Sequence, residues 1–272
     1  MDDLVAVADQ YIQTRVICQD YVQNILRIAK ACGKMQAAAV NDYLRQRLQA
    51  VSTITARNER TILLCLWRFA YDSGLTDTAP RGIAKIKPRK PPTKAWTVQQ
   101  LKGALNRAGG LKGRVLRSGV PAGTFLRCWL LLGYESGARR GDVFSFRHDQ
   151  IDGDVLRWVQ SKTGDPLCKV LSRACLDAVA EMRRYGDGEK TILGWAVGRR
   201  QSLRVMRQFL DECGIGGSSK WLRRSGATHI EMISPGKAKL HLGHRSVGLA
   251  ESNYLDWGQI RETTPVTPAL VD

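Results

Sequence analysis

The sequence predicts a mainly α-helical protein with a small antiparallel β-sheet, divided into an all-α N-terminal domain and a second domain of α+β type. Three observations predict this. Apolar residues recur at three- and four-residue spacings through most of the chain, the pattern of amphipathic helices. The period changes once, over residues 149–171, to β-prone runs broken by turn dipeptides. Between the two halves lies Lys85-Ile86-Lys87-Pro88-Arg89-Lys90-Pro91-Pro92-Thr93-Lys94, where prolines forbid a continuing helix and the cations keep the segment solvated. The expected organisation is a helical domain at 1–88, a basic linker at 89–94, and the second domain with a C-terminal tail at 95–272.

The elements follow in order. The chain before the linker reads as helical throughout. Residues 21–30 place Val22, Ile25, Leu26 and Ile28 at mixed spacings, residues 37–48 form a second helix, and residues 55–73 a third. In the third, Ile62, Leu66, Phe69 and Ala70 share a face, Thr55 is the expected N-cap, and Gly74 stands where a glycine stop belongs. After the linker, Thr97 caps a short helix at 98–108, and an apolar helix at 125–134 leads into Arg139-Arg140. Asp152-Gly153-Asp154 and Thr163-Gly164-Asp165-Pro166 are turns between strands, with Lys162 at the edge of the second. Helices resume at 174–184, 201–213, 220–232 and 247–257, and 263–272 reads as an extended tail.

Charge is the outlying bulk property. Lys+Arg number 42 against 25 Asp+Glu, a net +17, with a sequence pI near 9.9. That balance points to a polyanionic partner, above all nucleic acid, although a basic ribosome-like protein has the same signature. No apolar run approaches the roughly 20 residues needed to span a bilayer, and Met1-Asp2-Asp3-Leu4 lacks the basic flank of a secretory signal. The seven cysteines are odd in number, scattered and nowhere in Cys-x-x-Cys spacing. They suggest buried thiols in a reducing cytoplasm, with no disulfide framework and no structural metal.

The C-terminal half carries a constellation suited to attack on a phosphodiester. Such a reaction without metal needs a nucleophile, cations to neutralise the phosphate oxygens, and an acid for the leaving oxygen. Arginine suits the second task because its planar fork gives two parallel hydrogen bonds and stays charged. Tyrosine can supply a nucleophile that conserves the bond as a phosphotyrosyl ester, and lysine can supply the acid. In order along the chain come Ser136-Gly137-Ala138-Arg139-Arg140-Gly141-Asp142-Val143, Ser161-Lys162-Thr163-Gly164, Lys220-Trp221-Leu222-Arg223, Leu242-Gly243-His244 and Glu251-Ser252-Asn253-Tyr254-Leu255. Each residue has an ordinary reading alone: a solvated arginine pair, a turn lysine, a capping histidine, a half-buried tyrosine. The joint order is what departs from chance.

With these motifs the chain resembles the tyrosine recombinases of the phage-integrase family, well over residues 125–257 and more loosely before that. The resemblance implies a core-binding domain followed by a tyrosine-recombinase catalytic domain, the two closing as a clamp on duplex DNA. It implies that Arg139 and Arg223 grip the scissile phosphate with Lys220 and His244, that Lys162 protonates the 5′-oxygen, and that Tyr254 joins the 3′-phosphate. Asp142 falls where the family has an acidic residue bracing the site, and Lys220 stands where it usually has histidine, which shifts acid–base work toward Lys162 and His244. No cofactor is implied. The implied partners are double-stranded DNA, three further copies in a synaptic tetramer and accessory DNA-bending proteins, with no membrane. The implied activity is site-specific recombination or integration. A type IB topoisomerase would use the same residues, and a basic DNA-binding regulator without catalysis would share the charge. His148, His229 and His241 read as structural, and Arg199, Arg200, Arg204 and Arg207 as a basic helix face.

Overall fold

In the computed structural model, which describes residues 3–89, 91–111, 113–186, 188–243 and 247–261, the chain separates into two units, Met1–Pro91 and Pro92–Asp272. The fold class is the predicted one, helices with one small antiparallel sheet.

The N-terminal unit packs α1 (Leu4–Gln13), α2 (Gln19–Cys32), α3 (Ala37–Ala50) and α4 (Thr53–Asp72) around Ile25, Ile28, Leu63, Leu66 and Trp67. α4 begins earlier than the sequence suggests. Ser52, not Thr55, is its N-cap, and the Ser52 hydroxyl accepts the Thr55 N–H at 3.2 Å. A serine in extended backbone satisfies an orphan donor that Thr55, already inside the helix, does not. Glu59 on α4 is buried, yet its carboxylate takes Arg47 through two nitrogens (2.8 and 2.9 Å), Arg27 at 2.9 Å and the Tyr43 hydroxyl at 3.0 Å. One acidic side chain thus ties α2 and α3 to α4. The segment after α4 is also held: Asn41 brackets it through the Gly82 carbonyl and the Ala84 N–H, and Trp67 donates to the Thr78 carbonyl at 2.7 Å.

The second unit is built on α6 (Ala122–Ser136), whose sides are nearly all buried because Phe125, Leu126, Trp129 and Leu132 point in different directions. Against it pack α5 (Val98–Gly109), α8 (Arg173–Tyr185) and α10 (Lys220–Ile233). Thr97 caps α5 in a reciprocal capping box with Gln100. α7 (Arg140–Ser145) follows α6, and α9 (Arg199–Glu212) precedes α10. The sheet has the order β1 (Ile151–Asp152), β2 (Val155–Val159), β3 (Pro166–Val170), all antiparallel, with Val155 opposite Val170 and Val159 opposite Pro166. Leu156 and Trp158 point inward while Arg157 and Val159 face out, the period-2 alternation of a half-buried strand.

The helix expected at 247–257 is two helices, α12 (Val247–Tyr254) and α13 (Trp257–Arg261). The break has a physical cause. Leu255 is buried with Ala227, Leu242 and Ala250, and the Asp256 N–H turns away to the Thr228 hydroxyl at 3.0 Å. A short α11 (Ala238–Leu242) precedes them. No helix among the described residues is long and apolar enough to cross a membrane.

Candidate active site

α6 ends on Gly137, at φ +59°, and this left-handed residue lets the chain reverse directly into Arg139. Arg139, in extended backbone ahead of α7, is half-buried and donates from Nη1 to the Gln160 side-chain oxygen. Three residues on, buried Asp142 accepts both the Ser161 N–H (3.1 Å) and the Ser161 hydroxyl (2.5 Å). The turn from β2 to β3 closes where the Gln160 N–H meets the Asp165 carbonyl and the Gly164 N–H meets the Gln160 carbonyl, each at 2.9 Å. The first arginine motif therefore grips the base of the turn whose exposed tip carries Lys162.

Arg223 lies on α10 and is only 4% exposed. It donates from Nη1 to the Gly137 carbonyl and from Nη2 to the Leu242 carbonyl at 2.9 Å. Its guanidinium sits 5.0 Å from the centre of the Tyr254 ring, within the range at which a cation is drawn to an aromatic face. Burial pushes the guanidinium below its ordinary value, as does the nearby Arg139, while Tyr254 and Asp142 favour the charged form. One side chain thus touches the first arginine motif, Leu242 of the Leu242-Gly243-His244 motif and the tyrosine.

His241 packs against the glycine whose carbonyl Arg223 meets. It fills a slot between Gly137 and Gly226, where a Cβ would come within 2.4 and 2.6 Å of its Nε2. Burial, followed by Lys169 and Arg223, pushes His241 down to about 3, so it is neutral at physiological pH. It packs, as the sequence suggests, and it shapes the arginine's seat as well.

Tyr254 ends α12 and is half-buried. Its backbone is tied down from both sides. Thr228 Oγ1 bridges the Tyr254 carbonyl (3.5 Å) and the Asp256 N–H (3.0 Å), and Asp256 Oδ2 accepts from the Ala95 N–H (2.9 Å) and Gln259 (3.0 Å). Lys220, exposed, opens α10 three residues ahead of Arg223 and so projects from the same side of that helix. His244 lies outside the described residues, as does the 263–272 tail. Gly243, just before His244, has φ +63°, and a Cβ there would sit 2.3 Å from Gln160 Nε2.

Among the predicted residues, Arg139, Arg223 and Tyr254 are brought together; Lys162 and Lys220 stand exposed on elements that also carry or hold the arginines. The arrangement offers two cations and a phenol within one buried-to-exposed gradient, which is what charge neutralisation at a phosphate beside a nucleophile requires. Among the described residues no three of His, Cys, Asp and Glu are grouped to hold a metal. Sequence reasoning passed over Gln160, although a signal was present. In the alternation of β2, positions 156, 158 and 160 face inward, so the glutamine is a buried polar group that needs partners.

Neither a protein-family model nor a curated protein matches the sequence. Solved structures do match the fold. The chain is similar to a lambda integrase dimer bound to a COC′ core site, with a TM-score of 0.77 and 18% identity over 99% of this chain and 81% of that one. It is also similar to the Tn1549 transposon integrase in complex with circular intermediate DNA (TM-score 0.69, 10% identity, 93% and 95% covered). XerH site-specific recombinase bound to a palindromic difH substrate gives a TM-score of 0.68 at 13% identity, with 90% and 76% covered. The chain therefore has the fold of these integrases and recombinases.

Proposed function

We propose that the protein is a tyrosine recombinase, a site-specific enzyme that cuts and rejoins DNA through a 3′-phosphotyrosine intermediate. The observation that carries this reading is the convergence of Arg139, Arg223 and Tyr254 through the Gly137 and Leu242 carbonyls and Gln160. In the proposed reaction the two guanidinium forks bind the non-bridging oxygens of the scissile phosphate. Tyr254 gives up its phenolic proton to solvent, and its oxygen attacks phosphorus and forms the P–O bond of the ester as the P–O bond to the 5′-oxygen breaks. Lys162, on its exposed turn, delivers a proton to that oxygen, and Lys220 and His244 add charge at the phosphate. A 5′-hydroxyl from a partner duplex then reverses the step. Neutral, buried His241 takes no part in proton transfer. The N-terminal unit acts as the core-binding domain, and joining two sites calls for four copies on DNA.

The experiment offers the protein double-stranded DNA from the flanks of its own gene and, separately, unrelated supercoiled plasmid. The expected result is salt-sensitive binding to both, with affinity falling steeply as salt rises because phosphate contacts dominate, and recombinant products only from the flanking DNA. Relaxation of the unrelated plasmid without recombinants would instead indicate a topoisomerase. Binding with no strand cleavage on either DNA would indicate a regulator.

A further inference from the structure

We propose that Gln160 is a positioning residue of this site, aiming the Arg139 guanidinium and tying it to the backbone that leads into His244. The inference rests on the reading of Arg139 as a phosphate-binding group. Gln160 keeps the inward phase of β2 and is only 1% exposed. Both ends of its amide are engaged: the oxygen accepts from Arg139 Nη1, and Nε2 donates to the Gly243 carbonyl at 3.3 Å. Its main chain closes the turn that carries Lys162, and its neighbour Ser161 is bound twice by Asp142. A single buried residue thus contacts the first arginine motif, the lysine turn and Gly243 of the Leu242-Gly243-His244 motif.

The chemistry of the amide makes this more than filling. A buried glutamine with its acceptor and a donor both committed has one orientation, since flipping it would set the NH2 group against a guanidinium donor and the oxygen against a carbonyl. A guanidinium is planar with its donors rigidly disposed, so holding one nitrogen orients the whole fork. Gly243 completes the device. Its missing Cβ is what admits Gln160 Nε2 to its carbonyl. A shift of the Gly243 carbonyl would pull on the same amide that aims Arg139.

Two substitutions separate the two bonds. Gln160→Met fills the space and loses both; Gln160→Glu keeps an acceptor for Arg139 but cannot donate to the Gly243 carbonyl when ionised. The readouts are the single-turnover rate of covalent adduct formation on nicked own-gene flank DNA, DNA affinity, thermal unfolding, and the guanidinium NMR spectrum of 15N-arginine-labelled protein, with Arg139 assigned by difference against Arg139→Lys. The expected result for Gln160→Met is a rate about 100-fold lower, the scale of a reacting group misplaced by about an ångström, at unchanged DNA affinity and with an unfolding temperature lowered by the two lost hydrogen bonds but still well above that of the assay. Its Arg139 resonances should lose their restricted rotation. Gln160→Glu should keep that restriction and fall between the two in rate. An unchanged rate or an unchanged Arg139 spectrum in Gln160→Met would overturn the proposal, and so would Gln160→Glu as slow as Gln160→Met. If Gln160→Met does not fold, loss of the Arg139 restriction in Gln160→Glu overturns it. Absence of any adduct with wild-type protein would sink the recombinase reading, while the Arg139 spectrum still decides whether Gln160 holds that side chain.

Discussion

Arg223→Ala is expected to lower the single-turnover rate of adduct formation by about 10²–10³-fold, the cost of removing one preorganised donor group from a developing oxyanion, while DNA affinity changes little. The asymmetry follows from burial. Arg223 is 4% exposed, so under the proposed reading it meets phosphate only at the reaction centre and contributes little to the surface contacts that dominate affinity. The substitution also leaves the Gly137 and Leu242 carbonyls without their donor, which costs about 1–3 kcal/mol for each buried group that water does not reach. Arg223→Lys should recover little of the rate. An ammonium on a flexible stem cannot span both carbonyls and still offer a fork to phosphate. Single-turnover kinetics beside a salt titration of binding check this; a loss of affinity equal to the loss of rate would mean that Arg223 serves binding alone.

Glu59→Gln is expected to lower the stability of the N-terminal unit by about 3 kcal/mol at neutral pH, the equivalent of holding a carboxyl at about 2 in place of 4.5. Burial alone would raise the Glu59 carboxyl; hydrogen bonds from Arg47, Arg27 and Tyr43 outweigh it. Because the folded value is depressed, the contribution is fully present above pH 4.5 and is lost as pH falls from there toward about 2. Wild type should therefore lose stability over that interval and Glu59→Gln should lose less, the two curves converging at the acid end. Calorimetry of the full chain across the interval measures both. Parallel pH curves would show that Glu59 is not held as an anion.

Much of the fold was legible because it rests on local signals. The period change near Asp149, the Asp152-Gly153 and Thr163-Gly164 turns and the Thr97 cap are all expressed within a few residues, and each appears where the sequence puts it. Thr55 misled because two hydroxyls three residues apart compete for the cap, and only backbone conformation decides between them. The break after Tyr254 was hidden because its cause is remote: Thr228, on another helix, withdraws the Asp256 N–H. The candidate site divides in the same way. Arginine, lysine and tyrosine announce themselves by type and order. The residues that seat them are ordinary, and their importance arises from long-range contacts, as with Gln160 between Arg139 and Gly243, or His241 between Gly137 and Gly226.

The most direct measurement is the identity of the residue that becomes joined to DNA. The protein is incubated with nicked own-gene flank DNA, the denaturation-resistant adduct is digested with protease and nuclease, and the modified peptide is sequenced by mass spectrometry. The expected result is a nucleotide 3′-phosphate on Tyr254 and no adduct from Tyr254→Phe. A modification on another residue, or an adduct that persists in Tyr254→Phe, would contradict it.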